Sequence, residues 1–124
     1  ITIVSWGKAF VLAEQAAEEL EKEGIDVELV DIMSLKPLDD ELIFESVKKT
    51  GKLVVVHDSF KTSGFGGEIV ARVVESEAFD FLDAPIRRVA SADTNVPSAS
   101  NLEKAVQPSV EQVKEAVLKT VNKQ

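Results

Sequence analysis

The sequence predicts a three-layer α/β/α domain with a mostly parallel sheet. Three observations carry that expectation. Strand-like and helix-like segments alternate along the chain, the pattern of a sheet covered by helices on both faces. The run Leu53-Val54-Val55-Val56 is apolar at four consecutive positions, as in a strand buried on both faces. With 124 residues the chain is the length of one ordinary domain and can bury about two-thirds of its unfolded surface.

The elements follow in order. Ile1 to Ser5 is a short β-rich run, closed by Trp6 and Gly7. Phe10, Ala13, Ala16, Ala17 and Leu20 then recur on one helical face, with Glu14, Gln15, Glu18, Glu19 and Lys22 opposite and Gly24 as the stop. Ile25 to Ile32 alternates as a strand. Pro37 and Asp39 open a second helix striped by Leu42, Ile43 and Val47, with Lys48 and Lys49 in its last turn and Gly51 at its end. After the buried run from Leu53, a glycine-rich turn leads into a third helix carrying Ile69, Val70, Val73 and Val74. Pro85 leads in a strand from Ile86 to Ala90. Ser91 to Gln107 reads as loop, with Ser100 and Glu103 spaced as a capping box. Ser109 and Gln112 cap a final helix striped by Val110, Val113, Val117 and Val121.

Composition narrows the function classes. The formal charge of −8 disfavours nucleic acid, which is bound by clustered Lys and Arg. No cysteine is present, so disulfides, thiolate chemistry and sulfur-ligated zinc are excluded. That agrees with a reducing cytoplasm. No apolar run approaches the length of a membrane span. Ile1 stands without a preceding methionine and opens directly in a strand-like run, which reads as a domain trimmed from a longer chain.

No set of residues spells out an active site. The turn Ser63-Gly64-Phe65-Gly66-Gly67-Glu68 resembles a phosphate cradle, but a dinucleotide fingerprint needs glycine where Ile69 stands, and no Gly-Lys-Ser/Thr follows. Close packing of Gly66 and Gly67 against a neighbouring backbone explains them better. His57, the single histidine, ends the buried strand beside Asp58, where a His–Asp pair could orient a base. No nucleophile accompanies it, so a hydrogen-bonded structural or interface histidine is the expectation. Ser46, in a chance Ser-x-x-Lys match, is expected to be solvated. Asp39 and Asp40 read as helix-start acids, and the acidic stretch Glu14 to Glu23 as a solvated face with Glu18 and Lys22 well spaced.

Several segments together resemble one family. These are Ile-Thr-Ile-Val-Ser-Trp-Gly at the start, the stretch 17–31, Leu35-Lys36-Pro37-Leu38-Asp39, Leu53-Val54-Val55-Val56-His57-Asp58, and Ser63-Gly64-Phe65-Gly66-Gly67-Glu68-Ile69. Leu82-Asp83-Ala84-Pro85-Ile86-Arg87-Arg88-Val89, Leu102-Glu103 and Pro108-Ser109-Val110 complete the set. In order and spacing they resemble the C-terminal, transketolase-like domain of the beta subunit of thiamine-diphosphate-dependent 2-oxo acid dehydrogenases, with Asp58 where that family commonly carries Glu. The resemblance covers residues 1–124 as one domain of a longer beta subunit. It implies a five-stranded sheet with one antiparallel edge strand.

The resemblance also implies a role. Thiamine diphosphate and magnesium belong to the parent enzyme and lie between its other domains, so this domain is expected to bind neither and to carry no catalytic, cofactor or metal residue. Its implied partners are the alpha subunit, a second beta subunit and, in some members, the subunit-binding domain of the acyltransferase core. Relatives serve pyruvate, branched-chain 2-oxo acids or acetoin in the cytoplasm, or in the mitochondrial matrix of eukaryotes. Phe60 and Phe65 fit no core stripe, so His57, Asp58, Phe60, Gly64, Phe65, Gly66, Gly67 and Glu68 form the candidate interface. A free-standing small-molecule or regulatory binding domain is the alternative. The equivalent domain of a transketolase or deoxyxylulose-phosphate synthase ranks lower, because Arg87 and Arg88 fall inside a strand rather than in a phosphate-binding loop.

Overall fold

The computed structural model describes residues 1–33, 36–93 and 106–123. Four strands, β1 (Thr2–Ser5), β2 (Glu28–Asp31), β3 (Leu53–Phe60) and β4 (Arg87–Ser91), lie in the order β2-β1-β3-β4 and are all parallel. Helices α1 (Lys8–Lys22), α2 (Asp40–Thr50), α3 (Phe65–Val74) and α4 (Val110–Val121) connect or follow them, with a 3-10 turn at Glu77–Phe81. The three-layer parallel α/β fold is as expected. The fifth, antiparallel edge strand is not seen among the described residues.

The alternation of side chains across β1 and β3 builds two cores. Ile3, Val54, Val56 and Val89 meet Ala13, Ala16 and Leu20 of α1 and Val113 and Val117 of α4 on one face. Val4, Val30, Leu53 and Val55 meet Ile43 and Val47 of α2 and Ile69 and Val73 of α3 on the other. Helix ends obey local chemistry. Asp39 accepts from the Leu42 N–H at 3.2 Å, and Gly51 closes α2 with φ 74°, where a side chain would be strained. Ser109 and Gln112 form the reciprocal capping box of α4 at 3.0 and 3.2 Å.

Several expectations shift. The second strand is shorter than 25–32, with Ile25 and Val27 packing beside the core rather than pairing. β3 continues through His57 to Phe60, with an irregular register opposite β4 between Val56 and Phe60. The 3-10 turn was not anticipated, and the Ser100–Glu103 capping box lies outside the described residues. The acidic face of α1 finds its cation on another helix, where Lys114 reaches Glu19 at 3.0 Å and Glu23 at 3.3 Å.

Ser46 corrects the sequence reading most sharply, because it is buried rather than solvated. Its Oγ lies 2.8 Å from Thr2 Oγ1, which lies 2.7 Å from Thr50 Oγ1, and Thr50 donates to the Lys52 carbonyl at 3.1 Å. A carbonyl can only accept, so the order of donation is set: Ser46 to Thr2, Thr2 to Thr50, Thr50 to Lys52. The relay ties β1 to α2 inside an otherwise apolar interior.

Thr2→Val therefore strands the Ser46 hydroxyl without an acceptor and is expected to cost about 1–3 kcal/mol in denaturant unfolding. Adding Ser46→Ala should recover part of that loss, because the orphaned donor is then gone; a fully additive double mutant would contradict the relay.

Candidate functional site

The parallel register sets Ser5 of β1 opposite Val56 of β3, which brings the next residues, Trp6 and His57, side by side. Their rings stack with centroids 5.4 Å apart at 11°, and Phe65 meets Trp6 edge-on at 6.1 Å and 87°. His57 is fully buried. Its Nδ1 lies 2.7 Å from Ser59 Oγ, whereas Nε2 has no hydrogen-bond partner. A bare lone pair is cheaper to bury than an orphaned N–H, so the favoured tautomer carries the proton on Nδ1 and donates it to Ser59.

The glycines make room for this ring. A Cβ on Gly66 would sit 2.6 Å from His57 Nε2, and one on Gly64 would come 2.7 Å from Cε1 while overlapping the Phe60 carbonyl oxygen. Gly67, by contrast, would meet only Arg88 Nη1 at 3.6 Å, an ordinary contact. The expected pair Gly66 and Gly67 is thus replaced by Gly64 and Gly66. Gly67 lies one helical position further on and faces another direction, and Gly66 is set by an imidazole rather than a backbone.

Burial first, and Arg88 second, hold His57 below its ordinary pKa, with Asp58 and Ser59 opposing. The His–Asp pair does not form. Asp58 is exposed, Nδ1 belongs to Ser59, and the Asp58 carbonyl accepts from Ser91 Oγ at 2.7 Å. Phe60 is 41% exposed, while Phe65 is half-buried against the second core, which gives it the packing role the sequence did not show. Glu68 pairs with Arg72 at 3.0 Å, and Arg72 also reaches Asp40 at 3.1 Å. A cavity of about 270 Å³ opens between Asp58, Ser59, Phe60, Ser91 and Val106.

The structure therefore splits the candidate residues. His57 and Gly66 are buried, with the half-buried Trp6, Gly64 and Phe65 packed around them, while Asp58, Ser59 and Phe60 form the exposed rim. Gly67 and Glu68 face elsewhere on α3. Trp6 and Ser59 were missed; the only available signal was that Trp6 directly follows a strand parallel to the one carrying His57. Among the described residues no three His, Cys, Asp or Glu side chains converge as metal ligands. The glycine-lined start of α3 does not fit a diphosphate, because the His57 ring and the Phe60 carbonyl already fill the space beside Gly64 and Gly66.

Gly66→Ala is expected to destabilise by about 1–3 kcal/mol, since the stacked His57 ring cannot retreat. Gly67→Ala should be neutral or stabilise by about 0.5–1 kcal/mol, the helix preference of alanine over glycine. Thermal unfolding of both variants separates the two outcomes.

The pH dependence has a definite sign. A histidine depressed in the folded state binds fewer protons there than when unfolded. Its contribution is full above the unfolded pKa of about 6.5 and is lost as pH falls below it. Urea unfolding at pH 7.5 and pH 5 should show this loss, and His57→Gln should flatten that part of the profile.

The comparisons with known proteins agree with this geometry. A family model described as transketolase, C-terminal domain, matches residues 1–113. The pyruvate dehydrogenase E1 component subunit beta of Rhizobium meliloti is 47% identical over 116 residues, covering 94% of this chain and 25% of that protein. Those of Saccharomyces cerevisiae, a mitochondrial protein, and Rickettsia felis are 44% and 46% identical, over 94% and 96% of this chain and 32% and 36% of theirs. A solved split gene transketolase, an inactive beta4 tetramer, superposes with TM-score 0.79 at 31% identity, covering 98% of this chain and 39% of that one. The chain thus spans between a quarter and about two-fifths of these relatives' lengths. It belongs to the transketolase C-terminal domain family.

Proposed function

We propose that residues 1–124 form the C-terminal assembly domain of a 2-oxo acid dehydrogenase beta subunit, of the pyruvate dehydrogenase E1 type. The parent enzyme would decarboxylate its 2-oxo acid on thiamine diphosphate and pass the acyl group to a lipoyl carrier. This domain would contribute surface rather than chemistry. Its partners would be the alpha subunit and a second beta subunit, with the acyltransferase core as a further one. The parent would work in the cytoplasm of a bacterium or in the mitochondrial matrix.

One observation carries this reading: the carboxyl end of the sheet, where parallel α/β folds place ligands, is closed by Trp6, His57 and the glycines of α3. His57, whose ordinary pKa best suits proton transfer near neutral pH, is buried and held by Ser59. What remains open is the rim, Asp58 and the 41% exposed Phe60 beside the 270 Å³ cavity. An exposed aromatic on a rigid rim is suited to anchoring a neighbouring subunit.

The full beta subunit, assembled with its alpha subunit, provides the test. Phe60→Asp is expected to weaken assembly by about tenfold or more in sedimentation velocity, as loss of an interface anchor does, while leaving the melting temperature of the domain within a few degrees. Calorimetric titration of the isolated domain with thiamine diphosphate and magnesium is expected to give no binding heat. Assembly indifferent to Phe60→Asp, or stoichiometric micromolar cofactor binding, would defeat the reading.

A further inference from the structure

The outer edge of β4 combines three features that the assembly rim does not explain. β4 is the last strand in the order β2-β1-β3-β4 and pairs only with β3 among the described residues. A groove of about 480 Å³ runs between this edge and α4. Arg87, whose Nε is buried without a hydrogen-bond partner, lies in its wall. An ionised donor shut away from water with no acceptor is costly, and a carboxylate entering the groove would satisfy it.

The charge around it has one sign. Lys61, Arg87, Arg88 and Lys119 line the groove against a single carboxylate, Glu115, which is already engaged by Lys119 at 2.9 Å. This is a local reversal on a chain of net charge −8. The opposite edge of the sheet is the contrary: the cavity beside β2 is bordered by Glu14, Glu18, Glu21 and Asp26. An acidic partner is therefore repelled from one edge and attracted to the other.

We propose that this edge docks an acidic, extended segment of a different polypeptide, which adds to β4 as a further strand. Main-chain hydrogen bonds to the open edge supply affinity, and alternate side chains supply selectivity. Arg87 and Val89 lie on the same face of β4, with Val89 packed in the core that α4 covers. A segment with acidic and apolar residues in alternation turns all its carboxylates to the Arg87 face, where α4 brings Lys119, and all its apolar side chains to the Ile86 face. One of those carboxylates accepts from the Arg87 guanidinium.

The test uses the full-length beta subunit and a labelled, end-capped peptide of alternating glutamate and valine, read by fluorescence anisotropy. Binding should be about tenfold or more tighter than for the lysine–valine counterpart and should weaken as salt is raised. Arg87→Gln should weaken it by about tenfold at unchanged melting temperature, and Lys119→Gln should weaken it less; the second variant serves if the first is unstable. Amides of residues 87–91 should exchange more slowly with peptide bound. The proposal is overturned if neither peptide binds, if both bind equally, or if a backbone N-methylated glutamate–valine peptide binds as tightly, which would mean only an anion contact. It is equally overturned if the amides of residues 87–91 are already fully protected from exchange in the assembled subunit without peptide.

Discussion

Because β3 runs between β1 and β4 with helices over both faces, the residues from Leu53 to His57 have no route to water. Each must be apolar or must carry its own hydrogen bonds. Leu53 and Val55 serve one core, Val54 and Val56 the other, so one strand welds the two helical layers into a single body. His57 continues the same strand into the same dry environment. It is tolerated there because Trp6 covers its face, Ser59 meets one nitrogen and the absent side chains of Gly64 and Gly66 leave it space.

That arrangement separates inside from outside within a few residues. Immediately after the buried imidazole, Asp58, Ser59 and Phe60 are exposed, although they still belong to the strand. The irregular register against β4 accompanies this change, and Ser91 secures it by donating to the Asp58 carbonyl. A protein of this family can thus offer a firmly held surface at the sheet's end without opening its core.

Most of the architecture was legible because burial writes periodicity into the chain. The helical stripes Ala13–Ala16–Leu20 and Val113–Val117 lie in the core as their spacing implied, and Ser109 with Gln112 caps α4 as its residues suggested. What could not be read depended on neighbours distant in the chain. Ser46 looks like a solvated helical serine until Thr2, on another element, supplies its acceptor. Gly64 and Gly67 are the same residue type in the same turn, and only the position of the His57 ring distinguishes them. Leu42 shows the reverse failure. It continues the apolar stripe of α2 yet is exposed, because Ile43 and Val47 already fill the contact with the sheet.

The wholly parallel pairing carries a kinetic consequence. Thr2 is matched with Glu28 on one side and with Leu53 on the other, and Val54 with Arg87. No two of the described strands can zip together through a tight hairpin; each pairing must first close a long loop, and that entropy is spent before any ladder forms. Helices can appear within microseconds, but they remain marginal until the sheet gives their apolar faces a surface. The slow event in reaching this fold is therefore the meeting of chain segments far apart in sequence, and until it occurs the valine-rich run of β3 lies open to unwanted partners.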